Sequence, residues 1–193
     1  MNKIILASGS PRRKQLLEWA EISFEVMVAD TDESYPENLS AAEIARHIAM
    51  NKALAIQGKL LPNYDAYTII AADTIVVLEN KIIGKPLDRE DAIKILSVLS
   101  GKTHEVITGV CLLSSSKKKV FAEKTNVAFH ELSLAQIEYY IDKYKPYDKA
   151  GAYAIQEWIG IVGVKSIEGD FYNVMGLPVS RVVKELKVMN YND

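Results

Sequence analysis

The chain has 193 residues, with 23 Lys+Arg against 25 Asp+Glu and a formal net charge of −2. Hydrophobic residues make up 49% and charged residues 25%, which argues for a globular protein with a real core and against disorder, a collagen or a disulfide scaffold. Near-neutrality also argues against a protein that coats nucleic acid by bulk charge, so a bound polyanion has to meet cations placed locally.

Residues 3–7 read as a first buried strand. The small-residue turn Ser8-Gly9-Ser10 follows, and a helix over residues 12–19 has Ser10 as its N-cap and Pro11 at its first position, where a missing N–H costs nothing. Residues 24–29 alternate like a second strand and run into Asp30-Thr31-Asp32-Glu33-Ser34. Ser40-Ala41-Ala42-Glu43 is a capping box that opens a helix to Gln57, stopped by Gly58.

A long apolar strand over residues 68–78 is broken by Asp73-Thr74. Glu79-Asn80-Lys81 predicts a turn and Ile82 to Pro86 a short return. Asp88 caps a helix through Leu99 that ends near Gly101. Residues 105–113 and 120–129 read as a β-hairpin joined by Ser114-Ser115-Ser116-Lys117-Lys118-Lys119, whose lysine triplet reads as a solvated turn. Ser133-Leu134-Ala135-Gln136 is a second capping box, for a helix to Tyr144. Residues 146–156 are loop-like, residues 159–167 predict a strand, and Pro178 starts a final amphipathic helix. Strands and helices that alternate around a central hairpin predict an α/β fold with a mixed twisted sheet and flanking helices, in a single domain over residues 1–193.

Cys111 cannot form an internal disulfide and lies in an apolar run, so it reads as a core thiol of a reducing compartment. No run approaches the roughly 20 apolar residues of a membrane span, and the apolar N-terminal run is too short for a signal peptide. We expect a cytoplasmic protein with no membrane or nucleic-acid partner.

Several familiar phosphate motifs fail. Gly101-Lys102-Thr103 lacks the glycine five residues earlier that a Walker loop needs, because residue 96 is Leu, and no G-x-G-x-x-G follows a strand. His47, His104 and His130 match no metal-ligand spacing. Asp30-Thr31-Asp32 resembles the nucleophile motif of haloacid-dehalogenase-type phosphatases, but Ser34-Tyr35-Pro36 does not continue it. The junction Ser8-Gly9-Ser10-Pro11-Arg12-Arg13 is the better anion site. It joins a turn that lets backbone approach a ligand to a helix N-terminus, two hydroxyls and two guanidiniums. Asp73 is the second signal, since a charge inside an apolar strand is costly unless it is paired or holds a metal. Asp30, Asp32 and Glu33 end another strand and are candidates to help hold a divalent cation.

Together these blocks resemble the Maf family. The resemblance rests on Leu6-Ala7-Ser8-Gly9-Ser10-Pro11-Arg12-Arg13, Ala72-Asp73-Thr74, Gly84-Lys85-Pro86, Leu99-Ser100-Gly101-Lys102-Thr103-His104 and Thr108-Gly109-Val110. It continues through Asp148-Lys149-Ala150-Gly151-Ala152-Tyr153-Ala154-Ile155-Gln156 and Asn173-Val174-Met175-Gly176-Leu177-Pro178, in family order over nearly the whole chain. It implies an elongated two-lobed fold like that of inosine-triphosphate pyrophosphatases, with a central cleft, and homodimers. The implied activity is a metal-dependent hydrolysis of nucleoside triphosphates to monophosphate and pyrophosphate. Arg12, Thr74 and Gln156 match the branch acting on dTTP and UTP, and a 7-methyl-GTP preference is the alternative within the family. Glu157 departs from the Gly that many relatives have there. The family name also points to septum formation, so a nucleotide-binding regulator of cell division without turnover is the rival class.

The roles expected from residues and resemblance together are these. Asp73 is the general base, and Glu33 with Asp73 holds Mg²⁺ or Mn²⁺. Ser8, Ser10, Arg13, Lys52, Lys85 and Lys149 bind phosphate, while Arg12, Thr74 and Gln156 select the base. Housecleaning of modified pyrimidine nucleotides is the physiological role that fits such an enzyme.

Overall fold

The computed structural model describes residues 3–60 and 66–190. Its strands are β1 (Lys3–Leu6), β2 (Glu25–Val26), β3 (Tyr67–Leu78), β4 (Lys81–Ile83), β5 (Thr103–Ser114), β6 (Lys118–Phe129) and β7 (Val164–Glu168). The helices are α1 (Pro11–Trp19), α2 (Ala41–Gln57), α3 (Arg89–Leu99), α4 (Leu134–Tyr144), α5 (Trp158–Gly163), α6 (Phe171–Met175) and α7 (Val179–Asn190). The strands form one mixed sheet in the order β2-β1-β3-β5-β6-β7, with β4 beside β3. No helix among the described residues is long and apolar enough to cross a membrane.

The chain divides into two compact units that interleave in sequence. Unit 1 is Met1–Asp73, Thr108–Glu123 and Gly176–Asp193, and unit 2 is Thr74–Ile107 and Lys124–Met175. In unit 1, β1 runs parallel to β2 and β3, with Leu6 opposite both Val26 and Ile70. Ala45, Ala49, Ala53 and Ile56 recur at helical spacing on the buried face of α2. The last three of these pack with Ile5, Ile69 and Cys111. Burial pushes the Cys111 thiol up to about 11, as expected of an inert core thiol. The close approach of α2 to β5 needs Gly109, because a Cβ there would overlap the Ala45 carbonyl. Ser40 starts α2 as its sequence predicts, with a reciprocal bond to Glu43.

In unit 2, Glu79 and Asn80 both have positive φ and make the two-residue turn between β3 and β4, with Leu78 opposite Lys81. Asp88 caps α3 through the Asp91 amide, and Ser133 with Gln136 closes the capping box of α4. Arg89 on α3 binds Asp142 on α4 through two bonds of 2.7 and 2.9 Å. Asn173 donates to the Val106 carbonyl and to Thr125 Oγ1, tying α6 to β5 and β6.

Three local expectations change. Residues 159–167 are not one strand, because residues up to Gly163 are helical and only Val164–Glu168 pairs with β6. Gly160 explains the switch: its backbone packs so tightly on the Ile155 carbonyl that no side chain fits, and its amide donates to Glu157. The second strand is Glu25–Val26 alone; the Met27 amide still donates to the Leu6 carbonyl, but β1 stops there and residues 28–29 have no β1 residue to pair with. The lysine triplet is not simply solvated: Lys117 donates to the Met189 carbonyl near the end of α7, and Lys119 lies 3.5 Å from Glu185.

His104 is 1% exposed, and burial pushes its imidazole from the usual 6.5 down to about 4. Between these values the unfolded chain binds the extra proton, so this group makes stability rise with pH through that window. Wild-type protein is therefore expected to lose about 2 kcal/mol more than His104→Gln between pH 7 and pH 5. Denaturant melts at the two pH values measure it, and equal losses would show that His104 is not held neutral.

Candidate active site

The turn after β1 and the middle of β3 belong to one neighbourhood because the two strands are parallel. With Leu6 opposite Ile70, Ser8 and Asp73 lie two and three residues beyond the paired level, towards the same strand end. Asp73 is the first interruption of a strand that is fully buried from Tyr67 to Ala72. Its side chain is 14% exposed, and Lys52 of α2 compensates its charge with a bond of 2.8 Å to Oδ1. The same ammonium lies 2.7 Å from Glu33 Oε1. Lys52 sits beside Ala53, at the edge of the buried face of α2, which leaves its side chain 18% exposed.

Arg13 enters the neighbourhood from α1. Its Nη1 donates to Ser8 Oγ at 3.1 Å and its Nε to the Gly176 carbonyl at 2.8 Å. Burial lowers the Arg13 guanidinium from its ordinary value, while Asp73 and Glu33 oppose that shift and Arg12 adds to it. Ser10 is the N-cap residue of α1, but its side chain makes no capping bond. Its amide donates instead to Ser8 Oγ at 3.3 Å. Arg12 is half-buried on the first turn of α1.

A pocket of about 260 Å³ opens beside this group, lined by Ser8, Gly9, Asp30, Thr31, Glu33 and Lys52 with apolar walls from Val28 and Ile56. Of the three acidic residues after β2, Glu33 reaches Lys52 and Asp30 lines the pocket. Asp32 is spent locally: its carboxylate accepts from the Ser34 hydroxyl and amide, which hold it below the usual range.

Two carboxylates that converge on one ammonium define a small volume suited to a cation. Mg²⁺ commonly takes one or two carboxylates and fills its other positions with water and substrate phosphate, so Glu33 and Asp73 fit such an ion. Among the described residues, no group of three or more His, Cys, Asp or Glu side chains forms an all-protein cage.

Unit 2 carries the other four residues singled out from sequence. Thr74 is half-buried and follows Asp73 on β3. Lys85 is exposed in the segment after β4, and Gln156 is exposed in a turn before α5. Lys149 is only 8% exposed. Its Nζ donates to Asp148 at 2.7 Å and lies 3.7 Å from Glu157 Oε1. The Gly151 amide donates to the Gly84 carbonyl, which stitches the segment before Lys85 to the turn after Lys149. The Tyr140 hydroxyl donates to Glu157 and accepts from the Ala154 amide. The carboxylates that hold Lys149 and the roles of Tyr140 and Gly176 were not read from sequence. Asp148 adjoins Lys149 and was there to be found, whereas Tyr140 and Gly176 act across distances that spacing does not reveal.

The profile of the Maf-like protein family matches residues 3–189. A protein of Bacteroides thetaiotaomicron named dTTP/UTP pyrophosphatase is 50% identical over 186 residues, covering 96% of this chain and 95% of the relative. Relatives with the same name from Phocaeicola vulgatus and Porphyromonas gingivalis are 52% and 46% identical over 186 residues. Those matches cover 96% of this chain and 95% and 93% of the respective relatives.

Removing the shared cation leaves two carboxylates facing each other. Lys52→Met is expected to cost roughly 2 kcal/mol in metal-free buffer, almost all of it from the well-buried Asp73 arm, since Glu33 is half-exposed. Urea denaturation measures this, and an unchanged midpoint would show that Lys52 does not neutralise Asp73.

Proposed function

This chain belongs to the Maf-like protein family, and from that premise we propose that it hydrolyses dTTP and UTP between the α- and β-phosphates, releasing nucleoside monophosphate and pyrophosphate. Its curated relatives carry the name of that activity. The observation that carries the reading is Asp73: a carboxylate at the end of a buried apolar run, matched by Lys52 and close to the Ser8–Arg13 turn.

Phosphoryl chemistry on a triphosphate needs an aligned water, a base and neutralisation of charge on the leaving group. Asp73 is the base that takes the proton of the water attacking the α-phosphorus, and pyrophosphate departs. Arg13, Lys52, Ser8 and Ser10 hold the phosphates in unit 1, and Lys85 and Lys149 are the phosphate-directed cations of unit 2. Glu33 and Asp73 would hold a divalent ion, Mg²⁺ or Mn²⁺, which when bound offsets the negative charge of the triphosphate. Arg12, Thr74 and Gln156 select the base, because the Gln amide can both donate to a pyrimidine carbonyl and accept from its imide N–H. The whole chain works as one nucleotide-hydrolysing domain of the cytoplasm, as a homodimer, and modified pyrimidine triphosphates are within its range.

The test is turnover of UTP, dTTP, CTP and GTP by purified protein, with products followed by phosphorus NMR. UTP and dTTP should be preferred and should yield pyrophosphate, while EDTA should abolish turnover and Mg²⁺ or Mn²⁺ restore it. Asp73→Asn should lower kcat about a thousandfold while the protein stays folded by far-UV circular dichroism. Orthophosphate as the product would overturn the reaction assignment, and near-wild-type turnover in Asp73→Asn would overturn the base. Nucleotide binding without turnover would mark a regulator instead.

A further inference from the structure

Unit 2 holds a buried polar pair that the proposed mechanism does not use. His104, at the start of β5, shares a hydrogen bond of 2.7 Å between its Nε2 and the Tyr153 hydroxyl. His104 is 1% and Tyr153 6% exposed. Phe129, from the end of β6, completes a cluster in which each ring meets the other two edge-on, with centroids 5.0–5.4 Å apart. Burial lowers the imidazole to about 4 and raises the phenol, so both partners are neutral at pH 7.

Such a pair is expensive unless it fixes something. A neutral bond contributes little net stability, while His104 Nδ1 is buried with no hydrogen-bond partner among the described residues. Two apolar side chains of similar shape would fill this space at lower cost.

What the pair fixes is the backbone just before it. Gly151 and Ala152 have successive φ angles of +72° and +57°. A left-handed alanine is disfavoured and persists only where its surroundings over-determine it. Ala152 is fully buried, and the next residue is Tyr153, anchored on His104. Lys149 stands at one end of this strained turn and Gln156 shortly after it. Spacing alone does not connect His104 with that segment, because 49 residues separate it from Tyr153.

We propose that His104 and Tyr153 are positioning residues for the Lys149–Gln156 segment, so that discrimination between nucleobases depends on a buried pair that never touches the nucleotide. This rests on the reading of Gln156 as a base-selecting residue given above.

The variants are Tyr153→Phe, which removes only the hydroxyl and keeps the ring cluster, His104→Ala, and His104→Gln, which restores a polar group of comparable reach. Two measurements are made on each full-length protein. The first is kcat and KM for UTP and for CTP. Tyr153→Phe and His104→Ala should lower the preference for UTP at least fivefold, through KM and with kcat for UTP within twofold of wild type, and His104→Gln should recover much of the loss. The second is amide hydrogen exchange without nucleotide, which should quicken at least tenfold over residues 149–156 in Tyr153→Phe while α3 and α4 keep wild-type protection. An unchanged UTP preference, or faster exchange spread evenly over unit 2, would overturn the proposal in favour of a purely structural pair. If wild-type protein turns over no triphosphate, the functional reading fails by itself. Exchange then decides the matter: quickening confined to residues 149–156 upholds the positioning role, and no quickening there overturns it.

Discussion

The Lys52 ammonium, 2.8 Å from Asp73 and 2.7 Å from Glu33, is the contact on which the rest of unit 1 depends. A carboxylate in an apolar strand can be kept only if a cation reaches it, and a long flexible side chain reaches it reproducibly only from a fixed helix. The features that fix α2 therefore act on the site: the capping box at Ser40, the alanines at four-residue spacing against the sheet, and the missing side chain at Gly109. The parallel register of β1 and β3 brings the Ser8 turn to the same strand end, and Arg13 closes the group through Ser8 and Gly176.

Local signals were legible in the sequence because they act over a few residues. The caps at Ser40, Asp88 and Ser133 are all present, and so is the turn at Glu79-Asn80. Asp73 stood out for a physical reason, the cost of a charge in an apolar run. What was misread depended on distant partners. The apolar run after Glu157 has the composition of a strand, but the Ile155 carbonyl against Gly160 makes it helical first. Residues 24–29 alternate like a strand, yet the length of the pairing was set by where β1 ends. Asp32 stood beside Glu33 among the candidates, and the bonds it makes in the turn at Ser34 set it apart from Glu33.

A net charge of −2 hides local pairing of the same kind. Lys52 is shared by two carboxylates, Lys149 is buried against Asp148 with Glu157 nearby, and Lys85 is exposed. Lys52 and Lys149 thus come with their own acidic partners, so the total charge says little about where cations are placed. Glu157 is also tied to the core, since Tyr140 binds both its carboxylate and the Ala154 amide. The turn bearing Gln156 is therefore exposed at its tip and anchored at its base.

Arg13 bonds to a carbonyl 163 residues further along the chain. On the ribosome, the guanidinium of the Ser8–Arg13 turn has no acceptor at Gly176 until 163 further residues have been added. Both segments of unit 2 precede that residue, whereas unit 1 draws its last segment from the C-terminal stretch. Every residue of unit 2 is thus already in the chain before the Ser8–Arg13 turn can complete its bonds.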